Sequence, residues 1–300
     1  MSRSANILLT LVSSFFIFAV VPDSLKQDSV TTMEDSLSIT KPESLTGKKN
    51  IQFPEIENRA FKIGEKLHFK IRYGFIRAGS AVMEVKREEL LDMRPVYHIK
   101  TTAQSASGFN WFYKVEDEVD SYMDKWGLFS WKFDKKLREG GYKVDIHVDY
   151  DPYHEKAHVN YTRYHSDMTL KEKKSYDVDS PAFTFDILAA FYYIRNRDLE
   201  VGQSIYLTTH DEKKVYELQI KVYREEIVDV KAGKFLCLVM EPLLKGEGIF
   251  KQNGRLQVWM TNDKYKIPVQ MTSKIIVGHI TSELEKIEGF DGPIPAQVDD

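Results

Sequence analysis

From residue 67 onward, apolar and polar residues alternate with a period of two. Leu67, Phe69, Ile71 and Tyr73 interleave with His68, Lys70 and Arg72, and after Gly74 the rhythm resumes through Ala81, Met83 and Val85. In that pattern successive side chains point to opposite faces of a sheet, so each run reads as a half-buried strand. Further strand-like runs cover 96–105, 115–123, 128–138, 142–150, 156–164, 204–209, 215–223, 234–241, 254–261, 267–273 and 275–288. Glycines such as Gly127, Gly140, Gly202 and Gly233 punctuate them as turns. One segment departs from this rhythm. Ser180-Pro181 reads as an N-cap and first helical residue, and Phe183, Ile187, Leu188, Phe191 and Ile194 recur at helical spacing. The spacing predicts a helix over about 181–196, preceded by a long polar loop at 165–180. Many strands joined by tight turns, with one helix, describe a mainly β protein. The expected form is a large curved antiparallel sheet or open β-barrel with one packed α-helix. No repeat of fixed period is visible, although 60–164 and 200–290 could form two half-sheets of one domain.

The string His154-Glu155-Lys156-Ala157-His158 matches the HExxH zinc-protease pattern. That pattern works on a helix, where residues i and i+4 share a face and both imidazoles reach one metal. Here it follows Val144, Ile146, Val148 and Tyr150, which alternate with polar residues, and precedes Val159 and Tyr161, which do the same. Asp151-Pro152 between them is a hairpin signal, and in a strand residues 154 and 158 stand about 13 Å apart. A zinc hydrolase is therefore the remote alternative. If the hairpin turns about Pro152-Tyr153, His147 faces His158 and could share a metal with Asp145 or Asn160. The acidic run Glu116, Asp117, Glu118 and Asp120 lacks EF-hand spacing and reads as an exposed strand or turn. Neither a GxSxG string nor a phosphate-binding glycine loop occurs. No cofactor is expected.

The N-terminus changes the setting. After Arg3, residues Ile7 to Val21 form an uninterrupted apolar or hydroxyl-bearing run ending at Pro22-Asp23-Ser24. That run is short for a membrane-spanning helix, which needs about 20 residues, and fits a signal peptide. Residues 1–24 are expected to be the signal, 25–55 a disordered polar spacer, 56–290 a single β-rich domain and 291–300 a flexible tail. A periplasmic location follows, with retention as an uncleaved anchor as the alternative. The formal net charge of -3 and the mixed placement of bases and acids provide no footprint for nucleic acid. The single cysteine, Cys237, sits in an apolar run and reads as a buried, inert residue.

Several segments carry a family resemblance when taken in order. They are Phe61-x-x-Gly64-Glu65-x-Leu67, Tyr73-Gly74-Phe75-Ile76-Arg77-Ala78-Gly79, Glu139-Gly140-Gly141-Tyr142, the run Asp186 to Arg195, and Gly254 to Asp263 before Ile267-Pro268-Val269. Together they resemble the exported bacterial family Domain of Unknown Function 3108. The resemblance implies export and a β-rich fold, with no assigned chemistry. A looser, architectural resemblance links such domains to half-barrel lipid and lipoprotein carriers of the envelope.

The aromatic residues are the remaining candidates. Phe109, Trp111 and Phe112 follow the flexible Ser105-Ala106-Ser107-Gly108, and Phe191 and Tyr192 lie on the expected helix. In a concave sheet these rings could line an apolar site. The expectation is a non-catalytic exported envelope protein that binds a lipid-like ligand or a lipoprotein. The alternative is a protein–protein scaffold in an envelope assembly.

Overall fold

Among the described residues the alternating runs become fourteen strands hydrogen-bonded into one antiparallel sheet. The computed structural model describes residues 51–111, 113–244, 256–274 and 278–299. The expected signal, the spacer as far as residue 50, and Phe112 lie outside them. In chain order the strands before the helix are β1 (Lys66–Tyr73), β2 (Ile76–Leu91), β3 (Arg94–Ser105), β4 (Glu116–Asp124), β5 (Ser130–Glu139), β6 (Tyr142–Asp151), β7 (Lys156–Tyr164) and β8 (Leu170–Asp179). Helix α1 (Ile187–Arg195) precedes β9 (Ser204–Asp211), β10 (Lys214–Val230), β11 (Gly233–Leu244), β12 (Leu256–Thr261), β13 (Pro268–Lys274) and β14 (His279–Glu288). The sheet order is β8-β7-β6-β5-β4-β3-β2-β1-β14-β13-β12-β11-β10-β9, so β1 pairs with β14 and the sheet ends at β8 and β9 without closing. Leu67, Phe69 and Ile71 of β1 and Val144, Ile146 and Val148 of β6 fall on the buried face, as period two requires.

A tandem repeat underlies this order. Asn58-Arg59-Ala60-Phe61-Lys62-Ile63-Gly64-Glu65-Lys66-Leu67 is echoed by Asn196-Arg197-Asp198-Leu199-Glu200-Val201-Gly202-Gln203-Ser204-Ile205. Val85-Lys86-Arg87-Glu88-Glu89 in β2 is echoed by Val222-Tyr223-Arg224-Glu225-Glu226 in β10. The geometry repeats as well. Gly64 and Gly202 have φ of 89° and 91°, a left-handed conformation that favours glycine. The Gly64 N–H donates to Val85 O at 2.8 Å and the Gly202 N–H donates to Val222 O at 2.9 Å. Each long strand then carries a register shift, between Val85 and Arg87 and between Val222 and Arg224. Such bulges bend long strands into a curved sheet. The two six-strand meanders, β1–β6 and β9–β14, meet where β1 pairs with β14, and β7–β8 is an added hairpin. The offset between copies changes by one residue from the first segment to the second, so no fixed period shows in the sequence.

Helix α1 plugs one end of this curved sheet and is pinned by a buried charge at each end. Its N-cap is Asp186, not Ser180. The chain cannot be helical from 181, because Phe183 is left-handed (φ 64°) and residues 184–185 bond to strands. The Ser130 N–H donates to Thr184 O at 3.1 Å, the Phe185 N–H to Thr208 O at 3.0 Å, and the His210 N–H to Phe185 O at 2.9 Å. This strap therefore bridges β5 and β9. The Asp186 carboxylate is fully buried and accepts from Ser121 and Ser130 hydroxyls at 2.7 and 2.6 Å, and from the Leu188 and Ala189 N–H groups at 2.8 and 3.0 Å. Those bonds satisfy donors that begin a helix. At the other end the Arg195 guanidinium, 0% exposed, grips Glu65 in a bidentate pair at 2.6 and 2.8 Å and donates to Ala60 O and Tyr265 O.

Three further expectations are corrected. The segment 165–180 is not a loop: β8 occupies Leu170–Asp179 and pairs with β7 along its length. As an edge strand rich in Lys171, Lys173 and Lys174 it buries little, so its apolar signal is faint. The polar spacer stops short of Phe53, whose ring stacks on Phe129 at 5.9 Å and lies 4.0 Å under the Arg94 guanidinium. The tail is docked rather than free. Ile294 and Ala296 are buried, and the Val298 N–H donates to Lys234 O at 2.9 Å.

Glu65→Gln is expected to lower the unfolding free energy by about 3–5 kcal/mol, the cost of leaving one buried partner unpaired. The double change Glu65→Leu, Arg195→Met should recover most of that loss. Urea titration checks both, and an unshifted midpoint in Glu65→Gln would show that the pair does not hold the helix.

Candidate functional site

The HEKAH string takes no helical form. His154 lies in the β6–β7 turn and His158 lies within β7. Asp151 organises that turn, accepting the Tyr153 and His154 N–H groups at 2.9 and 3.1 Å and the His154 ring at 2.6 Å. Glu155 is left-handed at φ 54°. The turn is centred one residue later than Pro152-Tyr153, so His147 pairs with Asn160, and His158 pairs with Asp149. His147 and His158 are therefore not opposite one another. Each ring has its own carboxylates: His147 bonds Asp134 and, at 2.8 Å, Asp149, while His158 bonds Asp177 at 2.7 Å. Among the described residues no group of three or more His, Cys, Asp or Glu is placed to hold a metal ion.

The five aromatic candidates separate. Trp111 is 86% exposed in the β3–β4 loop, Phe109 is half-buried there, and Phe112 is outside the described residues. Tyr192 is fully buried under α1, with the Phe61 ring edge-on at 4.9 Å and the Arg195 guanidinium 5.0 Å from its centroid. Phe191, one residue away, turns to the other side of the helix. There Ala190, Phe191 and Ile194 face Ile220 of β10, Met240 of β11 and Met260 of β12 across a cleft whose lining is wholly apolar. Its cavity volume is about 20 Å³, room for about one water molecule.

A second interior region is polar. Lys135 of β5 is 1% exposed on the concave face, and its charge acts on the Asp117 and Glu212 carboxyls. Glu212, at the β9–β10 turn, leans over β6–β8 towards Tyr142, Tyr161 and Tyr176, and the hydroxyls of Tyr142 and Tyr161 bond each other. Burial raises the Glu212 carboxyl and pushes Tyr176 up to about 12. Deeper in β4, burial pushes Asp117 up to about 6 from its usual 3.8, although the Arg138 N–H at 2.8 Å, Glu139 and Lys135 pull it back. The acidic run 116–120 is thus split by the pleat. Asp117 points inward, while Glu118 and Asp120 point outward to Lys100 and His98.

A family model described as Protein of unknown function (DUF3108) matches residues 68–285. The chain belongs to that family. No curated protein matches this DUF3108 chain. Among solved structures, a β-barrel-like protein of Domain of Unknown Function DUF1849 from Brucella abortus aligns with a TM-score of 0.51 at 11% identity, covering 78% of this chain and 100% of that one. A protein with a YmcC-like fold from Bacteroides fragilis, described as exported, aligns at TM-score 0.33 and 12% identity, covering 78% of this chain and 97% of that one. A protein described as a lipoprotein, from Parabacteroides distasonis, aligns at TM-score 0.33 and 12% identity, over 78% and 97% of the two chains. The Brucella likeness is one of fold, a β-barrel-like sheet.

Sequence reasoning on this DUF3108 domain singled out Phe191 but missed its neighbours Ala190, Met240 and Met260 in the cleft. It also missed Lys135 and the inward turn of Asp117. The signal for Asp117 was available, since Asp117, Val119, Ser121 and Met123 share one face of β4. Because burial raises Asp117, the folded state holds its proton more tightly than the unfolded chain does. The resulting stability is fully present below pH about 3.8 and is lost as pH rises through about 6. Asp117→Asn should remove that decline and leave the domain more stable than the native protein at neutral pH. Thermal midpoints measured across this range decide it, and parallel curves for the two proteins would reject the assignment.

Proposed function

We propose that this domain is a non-catalytic binding module of the bacterial envelope. It takes an acyl-bearing, amphipathic ligand against the apolar side of α1. The observation that carries this reading is the wholly apolar cleft between Ala190, Phe191 and Ile194 on the helix and the concave face of β10–β12. A cavity of about 20 Å³ does not hold an acyl chain as it stands. Met240 and Met260 supply the adaptability, because unbranched thioethers repack around differing shapes. The half-buried Phe191 ring is the movable part of the helix face, whereas Asp186 and Arg195 hold the backbone in place. Each methylene that enters contributes about 0.8 kcal/mol. The signal-like run from Ile7 to Val21 supports export to the periplasm.

The small cavity is also what favours the other reading, a packed scaffold module for a protein partner. Native mass spectrometry with lipid extraction, on protein recovered gently from a bacterial periplasm, separates the two. Co-purifying acyl species supports the binding module; a clean apo mass supports the scaffold. Ala190→Leu fills the cleft and should cut uptake of a fluorescent fatty-acid probe by about tenfold or more, the effect of losing a few buried methylenes. Equal uptake in that variant would remove the cleft from consideration.

A further inference from the structure

Antiparallel order sends the turns β1–β2, β3–β4, β5–β6, β7–β8 and β9–β10 to the end of the sheet opposite the helix plug. Three of these turns expose large apolar side chains. Phe75 is 97% and Ile76 58% exposed at β1–β2, Trp111 is 86% exposed at β3–β4, and Met168 and Leu170 are 44% and 60% exposed at β7–β8. Single exposed apolar residues are ordinary, but a Phe and a Trp held almost wholly in water on neighbouring hairpin tips are not. At about 4.8 Å per strand, these tips spread over about 30 Å of rim. Separate apolar points spread that widely suit a fluid surface better than one rigid protein patch.

The charges lean slightly in the same sense. At this rim Arg77, Lys114, Lys143, Lys171, Lys213 and Lys214 stand in or beside the turns, against Glu116, Asp167, Asp211 and Glu212, with Glu139 buried. At the plugged end Asp92, Asp151, Glu155, Asp229, Asp263 and Asp291 are matched by Lys62, Arg94, Lys125, Lys156, Lys231, Lys264 and Lys266. That end also exposes Leu90 at 73%, Met93 at 93%, Val201 at 51%, Trp126 at 49% and Ile63 at 45%, with Leu90 and Met93 set among Glu88, Glu89 and Asp92. Phe and Trp side chains with flanking lysines are what an anionic bilayer surface accepts.

We infer that the rim formed by the β1–β2, β3–β4 and β7–β8 turns docks on an anionic lipid surface. Phe75 and Trp111 enter the boundary between headgroups and acyl chains, and the lysines meet the lipid phosphates. The inference stands apart from the cleft reading, since Ala190→Leu should bind vesicles as the native protein does.

The test is flotation of the periplasmically recovered protein with vesicles of phosphatidylglycerol and phosphatidylcholine, compared with phosphatidylcholine alone. Native protein should float with the anionic vesicles, and raised salt should weaken this. Phe75→Ser with Trp111→Ser should lower partitioning by about tenfold at unchanged thermal midpoint, because both rings lie almost wholly in water in the free protein. Leu90→Ser with Met93→Ser should leave it unchanged. Phe75→Trp should retain binding, and brominated lipid should quench native fluorescence but not the Trp111→Phe variant to the same depth. Equal flotation of the Phe75, Trp111 double variant would overturn the inference. So would an equal loss in the Leu90, Met93 variant.

Discussion

The bidentate pair between Arg195 and Glu65 is the constraint on which the interior of this protein depends. Both side chains are withdrawn from water, a placement that is costly unless every polar atom finds a partner. Here the guanidinium meets two carboxylate oxygens and the carbonyls of Ala60 and Tyr265. One contact therefore ties together the helix, the segment before β1 and the β12–β13 turn, three parts that are distant in sequence. With Asp186 fixed to β4 and β5 at the other terminus, a helix of only nine residues is held across a sheet of fourteen strands. Short helices are marginal alone, and this one owes its existence to the groups at its ends and the apolar face beneath it.

Pinning both ends gives the two sides of the helix different characters. Tyr192 and Leu188 are locked into the core, whereas Phe191 borders the cleft. The difference follows from helical geometry: neighbouring residues lie about 100° apart around the axis, so one can serve packing while the next faces a gap. The polar interior under β5–β8 is built on the same economy of position. There the pleat of β4 turns Asp117 inward and Asp120 outward within a single acidic run.

Much of the architecture could be read before any coordinates, because period two on a half-buried sheet is a strong and local signal. Leu67, Phe69, Ile71 and Val144, Ile146, Val148 announce their strands without outside help. The failures have physical causes. The edge strand β8 buries almost nothing and looks like a polar loop. The Ser180-Pro181 cap signal was genuine in type but lost to the strap that residues 184–185 make with β5 and β9. The tandem repeat was masked by a one-residue change of offset, and became plain only when Gly64 and Gly202 were seen in the same conformation with the same hydrogen bonds. Of the candidate site, only Phe191 was legible as bordering the cleft. Its partners Met240 and Met260 come from strands far along the chain, and no local pattern relates them.

The pairing of β1 with β14 has a consequence for how the molecule comes into being. The first strand lies against the last, with Lys66 opposite Glu288 and Tyr73 opposite Ile280. A chain that emerges N-terminus first can zip β1 through β6 into a meander by local contacts alone. It cannot protect the second edge of β1 until nearly every residue has followed. Until that moment the edge of β1 is open to pairing with other chains. Completion is thus a late event that joins the two meanders, and a truncated chain lacking β14 would keep that seam unsealed.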